Sequence, residues 1–200
     1  MKLRLILLVL SLLAFLSASS GGYLYYSSLK ESARKESERK TARRAEMIRK
    51  NLSSFLSENI KPVKTMAGMQ EFRNSLIWHD ASSFDKTNAM LDHFKATLDV
   101  DVCYLMDSGG NTIASSNRMD PDSFVGKNFT FRPYFQQAVK GIPSTYLALG
   151  TTSGKRGAYY SHPVYVEGRK SPIGVVVIKA SIELIEKELT SIPGEVVLVT

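Results

Sequence analysis

STYLALGTTSGKRGAYYSHPVYVEGRKSPIGVVVIKAS, residues 144–181, is the stretch whose reading decides the fold. It holds three runs rich in β-branched and aromatic residues, Ser144 to Gly150, Ala158 to Val166 and Pro172 to Ser181, broken by the loops TTSGKRG and EGRKS. Connections this brief oblige neighbouring strands to run antiparallel, because a parallel crossover needs about a dozen residues or more. Upstream, Val102 to Met106 reads as a strand, DSGGN (107–111) as a tight turn and Thr112 to Ser116 as the returning strand. The expected class is α/β, more narrowly α+β: a five-stranded antiparallel sheet with flanking helices, preceded by a long N-terminal helix.

The helices follow from period and caps. Met90, Leu91, Phe94 and Leu98 line one face of a helix over Ser83 to Leu98, with Ser82 and Asp85 at capping-box spacing. Phe131 to Lys140 reads as a short helix capped by Thr130. From Ser27 to about Asn59 there is no Pro or Gly, and the composition favours one long helix that Pro62 ends or kinks. Met47, Ile48, Leu52, Phe55, Leu56 and Ile60 form a stripe along it. That stripe either covers the sheet of its own domain, the preferred reading for its later positions, or forms a homodimer seam. Ile182 to Leu189 reads as a further helix, and Glu195 to Thr200 as a strand opening another module.

The net charge of +7 is concentrated at one end. Lys2 and Arg4 contribute two charges, and Ser27 to Lys50 carries nine Lys/Arg against four Glu. Residues 51–200 then balance, fifteen against fifteen, which excludes nucleic acid as a partner of the folded body. Leu5 to Leu29 has no charged residue, begins LILLVLSLLAFL and ends with Tyr23, Tyr25 and Tyr26, the pattern of a membrane span with interfacial aromatics. A cleaved signal peptide is the alternative, with Ser17 to Ser20 offering small residues to a peptidase. Either way the remainder is expected outside the cytoplasm, in the periplasm, tethered to the inner membrane. The basic cluster behind the span runs against the positive-inside tendency, so topology rests on the nature of the domain that follows. The expected division is 1–29 anchor, 30–60 long membrane-leaving helix, 61–190 folded module, 191–200 start of a second module. Cys103, the one cysteine, lies in an apolar run and reads as a small core residue.

SFVGKNFTFRPYFQQAVKG (123–141), then YLALGTTSGKRGAYYSHPV (146–164) and GVVVIK (174–179), together resemble the membrane-distal module of double Cache sensor domains, closest to those of C4-dicarboxylate sensor histidine kinases. The resemblance implies a PAS-like sheet with a ligand pocket on one face, no catalytic apparatus in this chain, and a kinase or cyclase output elsewhere in a receptor. It places Arg132, Tyr134, Thr152, Ser153, an aromatic of the next strand and Lys179 at the pocket. That strand departs from the relatives' pattern by opening with Ala158 and by carrying His162.

Elementary chemistry points the same way. A carboxylate held away from water needs cationic donors, and arginine offers a planar fork while lysine offers a point charge. Arg132 and Lys179 are the cations set in otherwise apolar or aromatic sequence. Lys179 follows four aliphatic residues, so its ammonium requires a partner: a bound anion, an internal acid such as Asp101, or water reached at the strand end. Strand alternation puts Ala158, Tyr160 and His162 on one face and Tyr159, Ser161 and Pro163 on the other. Tyr160 and His162 are expected to face the pocket. Ser161 and His162 point oppositely and cannot act as nucleophile and base, while His79, His93 and His162 lack metal spacing. The expectation is a sensor of a small carboxylate, with no cofactor and no metal; a protein-binding or structural module is the rival.

Overall fold

A computed structural model describes residues 2–152 and 154–183. The chain divides into two compact units, Met1–Asn51 and Leu52–Thr200. Helix α1, Lys2–Glu58, supplies the first unit. Its apolar stretch is fully exposed and is long and apolar enough to cross a membrane. Beyond that stretch its polar side chains pair along the helix, Lys35 with Glu31 at 2.7 Å and Lys40 with Glu36 at 2.8 Å, so this segment needs no core.

The second unit contains the last turns of α1, then α2 (Ile60–Ala67), α3 (Gln70–Trp78), α4 (Ala81–Leu98), β1 (Val102–Asp107), β2 (Thr112–Ser115), α5 (Pro133–Ala138), β3 (Ser144–Leu149), β4 (Arg156–Val164) and β5 (Gly174–Ser181). The strands form the expected five-stranded antiparallel sheet, and its order is β2-β1-β5-β4-β3. Pro62 sits inside α2; the chain breaks at Asn59, three residues earlier.

Each sheet face has its own core. On one, Cys103, Leu105, Ala158, Tyr160, Val176 and Ile178 meet α2, α3 and α4 together with Phe55 and Leu56 of α1. Those two positions of the stripe therefore cover their own sheet, whereas Met47 and Ile60 remain exposed. On the other face, Tyr104, Tyr159, Val175 and Val177 meet α5 and the segment bearing Phe124 and Phe129. A paired Arg118–Asp92 contact, 2.8 Å through each guanidinium nitrogen, ties the start of that segment to α4.

Two caps differ from expectation. Asp80, not Ser82, starts α4: its carboxylate accepts from the Ser83 amide at 2.7 Å, satisfying a first-turn donor that has no partner within the helix. The residue at the start of α5 is Arg132, not Thr130, whose hydroxyl instead donates to Asn128 at 2.7 Å. Proline explains this, because Pro133 excludes the helical conformation from the residue before it while itself suiting the first helical position. Arg132 is therefore extended, at φ −77° and ψ 129°. The DSGGN turn closes as read; Gly110 adopts φ +79°, and a Cβ there would stand 2.6 Å from Thr130 Cγ2.

Ser153, the helix expected from Ile182 onward after Glu183, and the strand expected at Glu195 lie outside the described residues.

Candidate functional site

The extended backbone at Arg132 turns its side chain beneath the end of β3. One guanidinium nitrogen donates to the Leu149 carbonyl at 2.9 Å and to Thr151 Oγ1 at 3.2 Å. The charge centre lies 5.2 Å from the Phe131 ring and 5.8 Å from the Tyr159 ring, so aromatic faces flank it. Arg132 is 8% exposed, and its Nε is buried with no hydrogen-bond partner. A buried N–H without an acceptor is costly, more so on a cation, and marks a place where an acceptor is wanted.

Tyr134 follows one residue after Pro133. Its ring stacks on Tyr159 at 5.0 Å with 4° between planes, and its hydroxyl accepts from the Tyr104 hydroxyl at 2.7 Å. Burial pushes the phenols of Tyr104, Tyr134 and Tyr159 above the ordinary tyrosine value, so all three stay neutral donors at physiological pH. The Ser161 hydroxyl donates to the Tyr134 carbonyl at 3.0 Å and fastens α5 to β4.

Lys179 lies opposite Tyr159 in the sheet register, on the same face. Its side chain is 2% exposed and its Nζ meets Asp101 Oδ2 at 3.0 Å. The internal acid expected as a partner of Lys179 is therefore present beside it. The reason is register: Asp101 directly precedes β1, and its amide donates to the Lys179 carbonyl at 2.9 Å, which sets the carboxylate beside the ammonium.

Thr152 lines the same space as Arg132, Tyr134 and Tyr159, in a loop closed by Gly150 N to Lys155 O and Gly154 N to Gly150 O, each 2.9 Å. The cavity they enclose is about 10 Å³, room for about one water molecule. As it stands, it does not admit a dicarboxylate.

Two expected pocket residues are elsewhere. Tyr160 and His162 occupy the opposite face, because β4 alternates and Tyr159 is the residue that joins Arg132 and Tyr134. Tyr160 donates to the Phe55 carbonyl of α1 at 2.6 Å. The Nδ1 of His162 lies 3.0 Å from the Pro163 carbonyl, and the side chain borders a crevice of about 130 Å³ with Ile60 and Val63. Thus Arg132, Tyr134, Thr152 and Lys179 share a face, Tyr160 and His162 do not, and Tyr159, Thr151 and Asp101 complete the group. Pairing the expected strand ends, Val166 with Pro172, already sets Tyr159 opposite Lys179 and would have identified it.

Residues 26–200 match the sequence profile of the Cache domain. The C4-dicarboxylate transport sensor protein DctB of Pseudomonas aeruginosa is 38% identical over 112 residues, covering 56% of this chain and 18% of the relative. Its counterpart in Rhizobium meliloti is 35% identical over 116 residues, 58% of this chain and 18% of the relative. The crystal structure of the sensor domain of the Vibrio cholerae histidine kinase DctB superposes with a TM-score of 0.70 at 32% identity, over 74% of this chain and 57% of that one. The chain thus spans less than a fifth of the length of the two curated relatives.

Proposed function

Because the chain belongs to the Cache domain family, we propose that it is the extracytoplasmic sensing region of a transmembrane receptor and binds a small carboxylate beside Arg132. The observation that carries this reading is the buried Arg132 guanidinium, flanked by aromatic rings, left with an unpartnered Nε, and lining one cavity with Tyr134, Tyr159, Thr151 and Thr152. A carboxylate is the acceptor whose two oxygens match that fork. The neighbouring phenols are neutral donors suited to the same group. Thr152 is assigned to the wall that must move for entry, since the cavity is too small for the ligand, and Ser153 keeps the ligand-contact role that the family resemblance implies.

The arrangement also supports a route outward. Tyr159 faces the site while its neighbour Tyr160 holds the end of α1 through the Phe55 carbonyl. A ligand that fits a widened site better than the closed one shifts the domain toward the wider arrangement, by no more than that difference in affinity. β4 then carries the shift to α1, a homodimer seam along α1 passes it to the partner, and a histidine kinase receives it. Within this scheme residues 1–29 anchor the chain in the inner membrane, 30–60 leave it, 61–190 form the periplasmic sensing module and 191–200 begin a second module.

The closed cavity favours a rival in which the Arg132 cluster is purely structural and the domain meets a protein. A thermal-shift panel of mono- and dicarboxylates on the full chain in nanodiscs separates them. The sensing reading expects a rise in melting temperature with at least one carboxylate, abolished by Arg132→Lys, since a ligand of the native state stabilises it. No rise across the panel, or a rise that survives the substitution, refutes it.

A further inference from the structure

α3 and α4 cover the sheet face opposite the Arg132 cavity, and a second concave surface opens between them. Phe72, Ser75 and Leu76 are the buried stripe of α3. Glu71, Asn74 and Trp78, at steps of three and four residues, form a neighbouring stripe that is turned away from the core. Across from it stand Asp80, Ser82 and Lys86 at the entry of α4, and together they line a cleft of about 160 Å³. Trp78 ends α3, because His79 after it turns left-handed at φ 54°. The indole is left 68% exposed at the cleft, an apolar surface with water on it.

The polar groups around that indole are a mixed set with capacity to spare. Among the described residues, the Glu71 carboxylate, the Ser82 hydroxyl and the Lys86 ammonium make no hydrogen bond or ion pair. Asn74 Oδ1 accepts from Gln70 Nε2 at 3.0 Å, which leaves the amide nitrogen of Asn74 to donate. Asp80 Oδ1 accepts from the Ser83 amide at 2.7 Å, which leaves Oδ2 to accept. An anion entering here meets Glu71 and Asp80, and a cation meets Lys86. A neutral polyhydroxyl compound suits both, because each hydroxyl donates as well as accepts. The apolar C–H face of a sugar ring is also the surface that covers an indole without stranding a polar group. We propose that this cleft binds a neutral sugar ring: Trp78 is the platform, Glu71 and Asp80 accept from the ring's hydroxyls, and Asn74 and Lys86 donate to them. The site is separate from the one at Arg132, so the domain carries a carboxylate site and a sugar site on opposite faces of one sheet.

Trp78 is the one tryptophan of the chain, so its fluorescence reports on this cleft alone. Glucose, galactose and N-acetylglucosamine are titrated into the full chain, held in micelles of a detergent without a sugar head group. With at least one of them the emission should move to shorter wavelength, as the ring displaces water from the indole, and should saturate with a half-point of roughly 1 mM, the affinity expected of one ring in an open cleft. Glu71→Ala should raise the half-point about tenfold. That variant keeps the Glu71 carbonyl, which accepts from the Thr87 hydroxyl at 2.9 Å, so the tie between α3 and α4 survives. Trp78→Ala, followed by saturation-transfer NMR on the sugar protons, should abolish binding. No shift with any of the three sugars, a shift that grows without saturating, or a half-point unchanged in Glu71→Ala overturns the assignment. So does emission that shifts when the chain is diluted without sugar, because a second copy then covers the cleft.

Discussion

Replacing Tyr160 with phenylalanine removes one oxygen atom at the point where the sheet holds α1. Tyr160 is fully buried, its hydroxyl donates to the Phe55 carbonyl at 2.6 Å, and Phe55 lies in the last turn of a helix ending at Glu58. Carbonyls in that turn lack a complete set of intrahelical donors, so the phenol supplies a partner that the helix itself does not. Loss of such a bond costs about 0.5–1.5 kcal/mol, and a carbonyl left dry costs about 1–3 kcal/mol. Taking about 1.5–2 kcal/mol, and about 2–4 °C per kcal/mol for a domain of this size, Tyr160→Phe should melt roughly 3–8 °C below wild type. The assay is circular-dichroism melting of the full chain in nanodiscs, with Tyr159→Phe as control. That control keeps the ring stacked on Tyr134 and should shift the transition much less. Equal melting of Tyr160→Phe and wild type, within about 1 °C, would show that the bond does not hold α1 to the sheet.

Three further outcomes follow from the same contacts. Asp80→Ala removes the cap of α4 and should destabilise by about 1 kcal/mol, read as a lower urea midpoint at unchanged slope. Gly157→Ala places a Cβ 3.1 Å from the Ala180 backbone carbonyl and 3.1 Å from Lys179 Cε; β5 cannot yield easily, and a loss of about 1–3 kcal/mol is expected on denaturation. Alkaline pH should unfold the domain: burial pushes the Tyr160 phenol up to about 12 and raises Tyr104 and Tyr134 as well. Up to about pH 10 both folded and unfolded states keep these protons, so the contribution is complete; above it the unfolded chain releases them first, and stability falls as pH climbs toward 12. Absorbance of phenolate at alkaline pH should therefore rise for these residues together with loss of the far-ultraviolet signal.

The sheet was legible because each strand announces itself twice, by composition and by the turn beside it. DSGGN and the short loops after Gly150 and Val166 leave few ways to connect the strands. Arg132 was legible for a different reason: a cation between Phe131 and Pro133-Tyr134 has no ordinary place on a helix surface. The face of β4 was misassigned because Tyr159 and Tyr160 are chemically alike, and only pairing register distinguishes them. α2 and α3 went unread, since Ile60–Ala67 contains a proline and Gln70–Trp78 is too short to display a period clearly. Closure of the cavity was beyond sequence reasoning, because it depends on how the loop of Thr151 and Thr152 lies on the Arg132 side chain and not on which residues compose it.

The unpartnered Arg132 Nε–H reports directly on whether a carboxylate binds beside it. With arginine labelled by nitrogen-15 and the Arg132 signal identified by its loss in Arg132→Lys, succinate should move that resonance downfield and slow its exchange with water, as an N–H gaining a charged acceptor does. Binding of succinate that leaves the Arg132 Nε–H resonance where it was would contradict the account.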